Sequence, residues 1–405
     1  MTSTPAQTGA QMGAQSEPGV AWFGWVMAFV FVLSPLLGWL SPLGYAPVAG
    51  LAGLLTLRSL RIGDQDRPAA IAILVLTAWA VASVAWSPFT PTSYESATAM
   101  KLVVQAALYW ALFRAAGAMT SGGRLVVLRL MSWGAALLGL ILVVEALTGA
   151  AVYQALRQAI GDPIRPDLAI KNVAQGGFVL AVLAPAAAIG GWRSGGGIWP
   201  GLAMVAGIIA ASFGLAADAP VIALVASLSA GVAVYRWPVV APRLVAGLAA
   251  FYFLGAPWVM WLTRELGWFQ TLEAKVPLSW SMRMGYWRHA GDWIGDHPFR
   301  GWGIDASRMF APGIKLHPHS GALQVWLELG LIGAMAAAVF WAVVIATQSN
   351  RQRDLGRAAA VGTAVAYLTF TAVSFGIWQE WWLALGAVAA ASCLAVQRQG
   401  PLQND

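Results

Sequence analysis

Charge is what this 405-residue chain has least of. Only 10% of its residues are Asp, Glu, Lys or Arg, while 59% are hydrophobic. Soluble globular domains are about 25% charged, so a water-soluble enzyme is excluded as the main architecture. Cysteine is nearly absent: Cys393 stands alone, which excludes a disulfide within the chain. No Lys or Arg precedes Arg58. A secretory signal needs a basic region ahead of its apolar stretch, so no cleaved signal peptide is expected. Residues 1–20 are rich in Gln, Thr, Ser and Gly and are expected to form a disordered tail. Neither GxSxG nor HExxH occurs, which removes the serine-hydrolase elbow and the zinc-protease helix. No solenoid-type repeat is present. The formal charge is +7, yet no basic block with interleaved aromatics lies outside the apolar runs. Nucleic acid is therefore not an expected partner; acidic lipid and anionic substrates suit that charge better.

What the chain does have is a succession of apolar runs. At about 20 residues per crossing, spans fall at 21–40, 43–57, 69–87, 99–116, 125–147, 174–192, 198–215, 219–235, 243–263, 319–347, 358–377 and 382–396. The second is short and contains Pro47. The expectation is an all-α polytopic membrane protein with about twelve transmembrane helices. One transmembrane domain would cover 21–397, with tails at 1–20 and 398–405.

Twelve spans put both termini on one side. The connections on that side carry arginines from Arg58 to Arg398, while the short opposite connections near 88–98, 216–218 and 378–381 carry none. The positive-inside rule then makes the termini cytoplasmic. Two outer loops break the pattern. Residues 148–173 hold Arg157, Arg165 and Lys171; residues 264–318 hold Arg264, Lys275, Arg283, Arg288, Arg300, Arg308 and Lys315. Long loops are translocated despite their charge. These cations are either solvated loop surface or an outer site for an anionic group such as pyrophosphate.

All four histidines, His289, His297, His317 and His319, lie in or just after that second loop. Residues 280–295 place Trp280, Met284, Trp287 and Ile294 at near-helical spacing, with Arg288, His289 and Asp292 on other faces. This reads as an amphipathic helix at the membrane surface. Arg283 and Trp287, four apart, are neighbours on it; Arg283 can equally be a snorkelling anchor. Gly301-Trp302-Gly303, read with Ala306, mimics a dinucleotide fingerprint, but no strand precedes it, so a tight chain reversal is expected. Pro318 holds His317 extended, and His319 or Ser320 can cap the helix that follows. His319 would sit where loop meets bundle, a place for a general base rather than only an interfacial histidine. A zinc site from His317 and His319 with His289 or His297 lacks accompanying acid or thiol ligands. Gln324 and Glu328 are polar groups inside the same apolar run, where such groups have a function or a partner.

These residues resemble the O-antigen ligase and O-antigen polymerase superfamily of bacterial envelope enzymes. The resemblance rests on Arg283 and Trp287, then HPFRGWG at 297–303, then His319 followed by a small polar residue and LQ…ELGLIG to Gly333. KNVAQGGF at 171–178 and SFGIWQEWW at 374–382 extend it over the C-terminal two thirds. It implies a GT-C-like fold with a large periplasmic loop containing amphipathic helices, in the bacterial inner membrane. It implies a metal-independent, inverting glycosyltransferase with no cofactor. The donor would be a polyprenyl-pyrophosphate-linked glycan and the acceptor a glycan or glycolipid hydroxyl. The product would be O-antigen or exopolysaccharide, by polymerisation or ligation, with polysaccharide export proteins as compatible partners. Carried over, His319 would be the base and Arg283 would bind the leaving pyrophosphate. Relatives carry a Ser-Arg pair in a middle outer turn; here that turn reads Ala216-Ala217-Asp218-Ala219-Pro220, and either Arg165 or Lys171 would stand in or Asp218 would contact a different substrate. Arg288 and Arg300 are further substrate-binding candidates, with Trp287, Gln324 and Glu328 in support.

Two other classes compete. A transporter or flippase for lipid-linked oligosaccharide also suits twelve spans, but transporters show broken helices in matched halves near the bilayer centre, and here the charge is outside in one asymmetric loop. Asp64-Gln65-Asp66 resembles a nucleotide-sugar motif, but its loop of about ten residues is too short for a nucleotide-binding domain.

Overall fold

The computed structural model describes residues 18–400. The expected tails therefore fall mostly outside the described residues. Within them the chain is helical, with no strand. In order the helices are α1 (Pro18–Leu40), α2 (Tyr45–Leu55), α3 (Arg67–Ala82), α4 (Thr98–Ala118), α5 (Ser121–Thr148), α6 (Ala151–Ala159), α7 (Pro166–Arg193) and α8 (Trp199–Gly214). They continue with α9 (Asp218–Arg236), α10 (Val240–Glu265), α11 (Trp268–Glu273), α12 (Leu278–Ile294), α13 (Gly321–Ala346), α14 (Leu355–Val373) and α15 (Glu380–Gln399).

Among the described residues, eight segments are long and apolar enough to cross a membrane: those of α1, α3, α5, α7, α9, α10, α13 and α15. The segments of α2 and α8 are apolar but shorter. Helices α4 and α14 occupy the two remaining expected positions. The chain is an all-α polytopic membrane protein, and large side chains such as Trp25, Leu147, Phe213 and Leu248 face outward where lipid replaces water.

Contacts sort the connections into two ends. At one, Arg193 pairs with Asp354 at 3.0 Å, Arg124 Nη1 donates to the Arg398 carbonyl at 2.8 Å, and Asn350 N–H donates to the Pro238 carbonyl at 3.0 Å. Asp64 and Asp66 lie there too, already paired with Arg67 and Arg114, which leaves the DxD look-alike without free carboxylates. At the other end, Lys101 pairs with Glu380 at 2.6 Å, Ser87 Oγ donates to the Ile304 carbonyl at 2.7 Å, and His319 meets Ser374. This is the alternation that the arginine distribution implied.

Helix α7 is the central post: 72% of its apolar window is buried, against 22% for α3 and α10. Its small residues allow this. At Gly176 a Cβ would meet the Gly38 carbonyl at 2.8 Å, and at Gly177 it would meet Ala211 at 2.9 Å.

Helix α13 is broken. Gly330 has φ 63° and ψ −159°, the one non-helical interior position among the described helices. The 297–303 segment fills the gap. Trp302 and Gly303 N–H donate to the Leu327 and Glu328 carbonyls, each at 2.8 Å, and Leu331 N–H donates to the Pro298 carbonyl at 2.8 Å. Trp79 Nε1–H donates to the Leu329 carbonyl at 2.9 Å. Non-helical backbone in a membrane protein survives only where protein satisfies it, as here. Gly301-Trp302-Gly303, expected as a chain reversal, thus replaces part of a helix ladder.

Candidate active site

Three segments meet around His319. Helix α12 comes first. Its Met284 and Ile294 are buried and its Trp280 and Trp287 partly so, as the spacing predicted. It packs on α10, α11 and α13. The second is the 317–320 link into α13, and the third is the 374–379 link from α14 to α15.

His319 has φ 53°, a left-handed value that non-glycine residues rarely adopt. Its Nδ1 lies 2.6 Å from the Ser374 carbonyl. A carbonyl only accepts, so Nδ1 carries the hydrogen and the Nε2 lone pair is left to take a proton. The ring lies near parallel, at 16°, to that of Tyr286, with centroids 5.9 Å apart. Helix α14 ends at Val373 rather than near 377, and the unwound Ser374 supplies this orienting carbonyl. Ser320 holds the N-cap position of α13 but its side chain does not cap. Tyr252 Oη instead accepts from Ala322 N–H at 3.1 Å. The capping expected of His319 or Ser320 is corrected accordingly: the left-handed turn aims His319 at Ser374 and leaves capping to α10.

His317 touches His319, ring centroids 4.3 Å apart. Its Nδ1 accepts from His319 N–H at 3.2 Å, so Nε2 carries its hydrogen. That nitrogen lies 3.4 Å from Gln379 Nε2, while Gln379 Oε1 is buried without a partner. Both groups are satisfied when the Gln379 amide is turned so that Oε1 accepts.

Burial lowers the pKa of His319, the Ser374 carbonyl opposes this, and the charge of Arg283 lowers it further. The imidazole is thus a neutral base at ordinary pH. Burial, then His319 and Arg308, push His317 down to about 3. The stabilising contribution of neutral His317 is whole above its ordinary 6.5 and is lost as pH falls towards about 3. The thermal midpoint of the protein in detergent should fall across that window. His317→Asn, which keeps an acceptor for His319 N–H, should fall less steeply; parallel curves would refute the assignment.

Arg283 is half-buried and makes no ion pair among the described residues. Its Nη1 donates to the Ser279 carbonyl at 3.3 Å, its guanidinium stands 5.2 Å from the Trp280 ring, and its Nε is buried without a partner. Trp287 Nε1 is also buried and unpartnered. Burial lowers the Arg283 pKa. A guanidinium with spare donors beside a neutral imidazole fits an incoming anion.

The other cations are placed differently. Arg288 pairs with Glu273 at 3.2 Å. Arg300 is exposed beside the Trp86 ring. Arg165 is exposed and paired with Asp167 at 2.9 Å, and Lys171 is exposed. None of the four contributes to the charge felt by His319. His289 stacks on Trp293 and His297 meets Trp302 edge-on, and neither makes a ring contact with His317 or His319. Among the described residues no three His, Cys, Asp or Glu gather to hold a metal.

Glu328 is fully buried beneath the site. It accepts from Trp378 Nε1–H at 2.6 Å, Asp305 N–H at 3.1 Å and Gln324 Nε2–H at 3.1 Å. Gln324 Oε1 accepts from Ile377 N–H at 2.9 Å. The pair therefore ties α13 to both the 301–307 turn and the 375–379 link. Sequence reasoning missed Tyr286, Ser374, Gln379 and Tyr252. The first three border or lie in quoted segments, but nothing in their spacing marked them.

A cavity of about 310 Å³ adjoins this site, walled by Tyr153, Arg157, Asn172, Gln175, Phe375 and Gln379 among others. Asn172 and Gln175 come from KNVAQGGF, and Phe375 and Gln379 from SFGIWQEWW, so these two segments face one space. Of the cations in the 148–173 loop it is Arg157, not Arg165 or Lys171, that lines it.

Comparison with known proteins agrees with this architecture. The O-antigen ligase family matches residues 202–338, which include Arg283 and His319. A candidate polysaccharide ligase of Rickettsia conorii is 26% identical over 118 residues, 26% of this chain and 29% of that protein. Its counterpart in Rickettsia prowazekii is 28% identical over 121 residues, 26% and 29% of the two chains. That of Rickettsia bellii is 36% identical over 74 residues, 18% and 17%. Each alignment thus covers less than a third of the rickettsial protein. No solved structure matches the chain. Residues 202–338 of this membrane protein are therefore similar to the O-antigen ligase family, a match over about a third of the chain.

Proposed function

We propose that the chain transfers a glycan from a polyprenyl-pyrophosphate carrier to an acceptor hydroxyl, on the periplasmic face of the bacterial inner membrane, with both termini cytoplasmic. The observation that carries this reading is the Arg283 guanidinium, with its Nε buried and unpartnered and no ion pair among the described residues, in the same region as a His319 ring oriented by the Ser374 carbonyl. In the reaction the acceptor oxygen attacks the anomeric carbon and the bond from that carbon to the phosphate oxygen breaks. The acceptor proton passes to His319 Nε2, and the pyrophosphate leaves with the bonding pair. Charge grows on the pyrophosphate as the bond breaks, and hydrogen bonds from Arg283 strengthen with it. Direct attack inverts the anomeric centre, and no step calls on a metal or a nucleotide. Glu328, Gln324 and Trp287 act by positioning.

A groove of about 1330 Å³ supports the choice of a lipid donor. It runs between α3, α4, α13, α14 and α15 from the Asp64 end to Ile377 and Trp378 beside the site, a path suited to a long apolar tail. The names borne by the family and the rickettsial proteins favour ligation over polymerisation. A flippase is disfavoured by the single helix break at Gly330 among the described helices, since transporters break helices in matched halves.

Removing one donor to a developing oxyanion costs about 10²–10³ in rate. Arg283→Gln should lose transfer by about that factor and Arg283→Lys should lose less, in membranes supplied with lipid-linked glycan. Full activity in Arg283→Gln would remove the pyrophosphate role.

A further inference from the structure

We propose that the cavity between α1, α6, α7 and the 374–379 link is the seat of the acceptor, and that it takes an uncharged sugar ring. The proposal rests on the transferase reading above. A volume of about 310 Å³ is at the lower bound of small-ligand sites, about 300–1,000 Å³. The walls offer hydroxyl, amide and aromatic groups, the chemistry that recognises sugars: Ser41, Asn172, Gln175, Gln379 and Trp381, with the Tyr153 hydroxyl already bonded to Leu40, Arg157 and Asn172. Gln175 makes no side-chain hydrogen bond among the described residues and is partly buried, so its donors and acceptor face the space.

The charge in the cavity is already balanced. Arg157 is bound to Asp162 through its Nε and Nη2, and its Nη1 donates to Tyr153 Oη at 3.3 Å. This contrasts with Arg283, which pairs with no acid among the described residues. The cavity is therefore built for neutral hydroxyls and the Arg283 side for an anion. The two lie on different sides of the histidine pair. Tyr286 and Arg283, both on α12, neighbour His319. Gln379, a cavity wall, touches His317, and Phe375, another wall, follows Ser374, which orients His319. Inverting displacement needs the leaving group and the nucleophile on opposite faces of the anomeric carbon, with the base beside the nucleophile whose proton it takes.

The test uses the full chain in lipid nanodiscs. The probe is the oligosaccharide released by mild acid from the host's own envelope glycan, used both as ligand and as soluble acceptor. Binding is read by saturation-transfer NMR and calorimetry, and transfer by the separate KM values for donor and acceptor. Wild type and His319→Ala should bind the oligosaccharide equally. Gln175→Ala should weaken binding about tenfold, and Gln175→Trp, which fills the space, should abolish it. The acceptor KM of Gln175→Ala should rise by the same factor, with donor KM and kcat unchanged. Binding that ignores both Gln175 variants, or a change in donor KM alone, would overturn the assignment. If no lipid-linked glycan is transferred by wild type while sugar binding still depends on Gln175, the transferase reading fails and the sugar site stands.

Discussion

His319→Ala should reduce glycan transfer by about 10²–10⁴-fold, the range that a positioned general base contributes, while the protein still purifies as a folded species. The imidazole is held by one hydrogen bond to the Ser374 carbonyl and by contact with Tyr286 and His317. It closes no core, so its loss leaves the bundle intact. The pH profile carries a second, independent signature. Burial and Arg283 lower the His319 pKa, so the base form persists to lower pH than for a free histidine. The acid limb of kcat/KM should therefore lie below the ordinary 6.5. Removing the Arg283 charge eliminates one of the two lowering influences, so the limb in Arg283→Gln should move upward. Arg283→Lys keeps a positive charge and should leave the limb near its wild-type place. Steady-state transfer in membranes across pH measures both effects. A His319→Ala enzyme of wild-type rate, or a limb that moves down in Arg283→Gln, contradicts the assignment.

The second large effect belongs to a residue that touches no substrate. Gly330→Val should prevent accumulation of folded protein. Its φ of 63° with ψ −159° is a conformation essentially reserved for glycine, costing another residue about 1–3 kcal/mol. A Cβ there would also overlap the Phe299 carbonyl, and one at Gly301 would overlap the Glu328 backbone. Overpacking adds about 1–3 kcal/mol. Relief by separation would sacrifice the bonds from Trp302, Gly303 and Leu331 across the break. The sum approaches the whole stability of a typical protein, about 5–15 kcal/mol. Gly301→Val should behave alike. Gly247→Ala is the control: a methyl group at this position on α10 would have nothing within 4 Å, and alanine gains up to about 1 kcal/mol over glycine in a helix. Size-exclusion profiles and thermal midpoints in detergent distinguish them. Monodisperse Gly330→Val of wild-type stability would show that the tight crossing of backbones is unimportant.

Much of this architecture was legible in the sequence because hydrocarbon is a strict solvent. Apolar runs near 20 residues marked the spans, and arginines marked one set of connections. The candidate site was legible at Arg283, Trp287 and His319, whose order and setting are unusual in an oily chain. What could not be read was tertiary. Gly330 sits in a run of helical periodicity, and only the approach of residues 298–303, some 30 positions upstream, breaks it. Ser374 looked like the interior of a span from 358 to 377, but its carbonyl orients His319. Arg165 or Lys171, rather than Arg157, was expected to supply the second cation. The fold separates them: Arg157 lines a cavity, Arg165 is bound to Asp167, and Lys171 faces out. Gln324 and Glu328 were rightly marked as polar groups needing partners, and the partners came from two distant links.

The transfer mechanism stands or falls on one diphosphate group held between Arg283 and His319. A cryo-electron microscopy structure of the full chain in nanodiscs with a polyprenyl pyrophosphate tests this directly. The predicted result is diphosphate density within hydrogen-bond distance of the Arg283 guanidinium, beside the His319 imidazole, with the lipid tail in the groove that ends at Trp378. Diphosphate bound elsewhere, with Arg283 and His319 both left facing solvent, would contradict it.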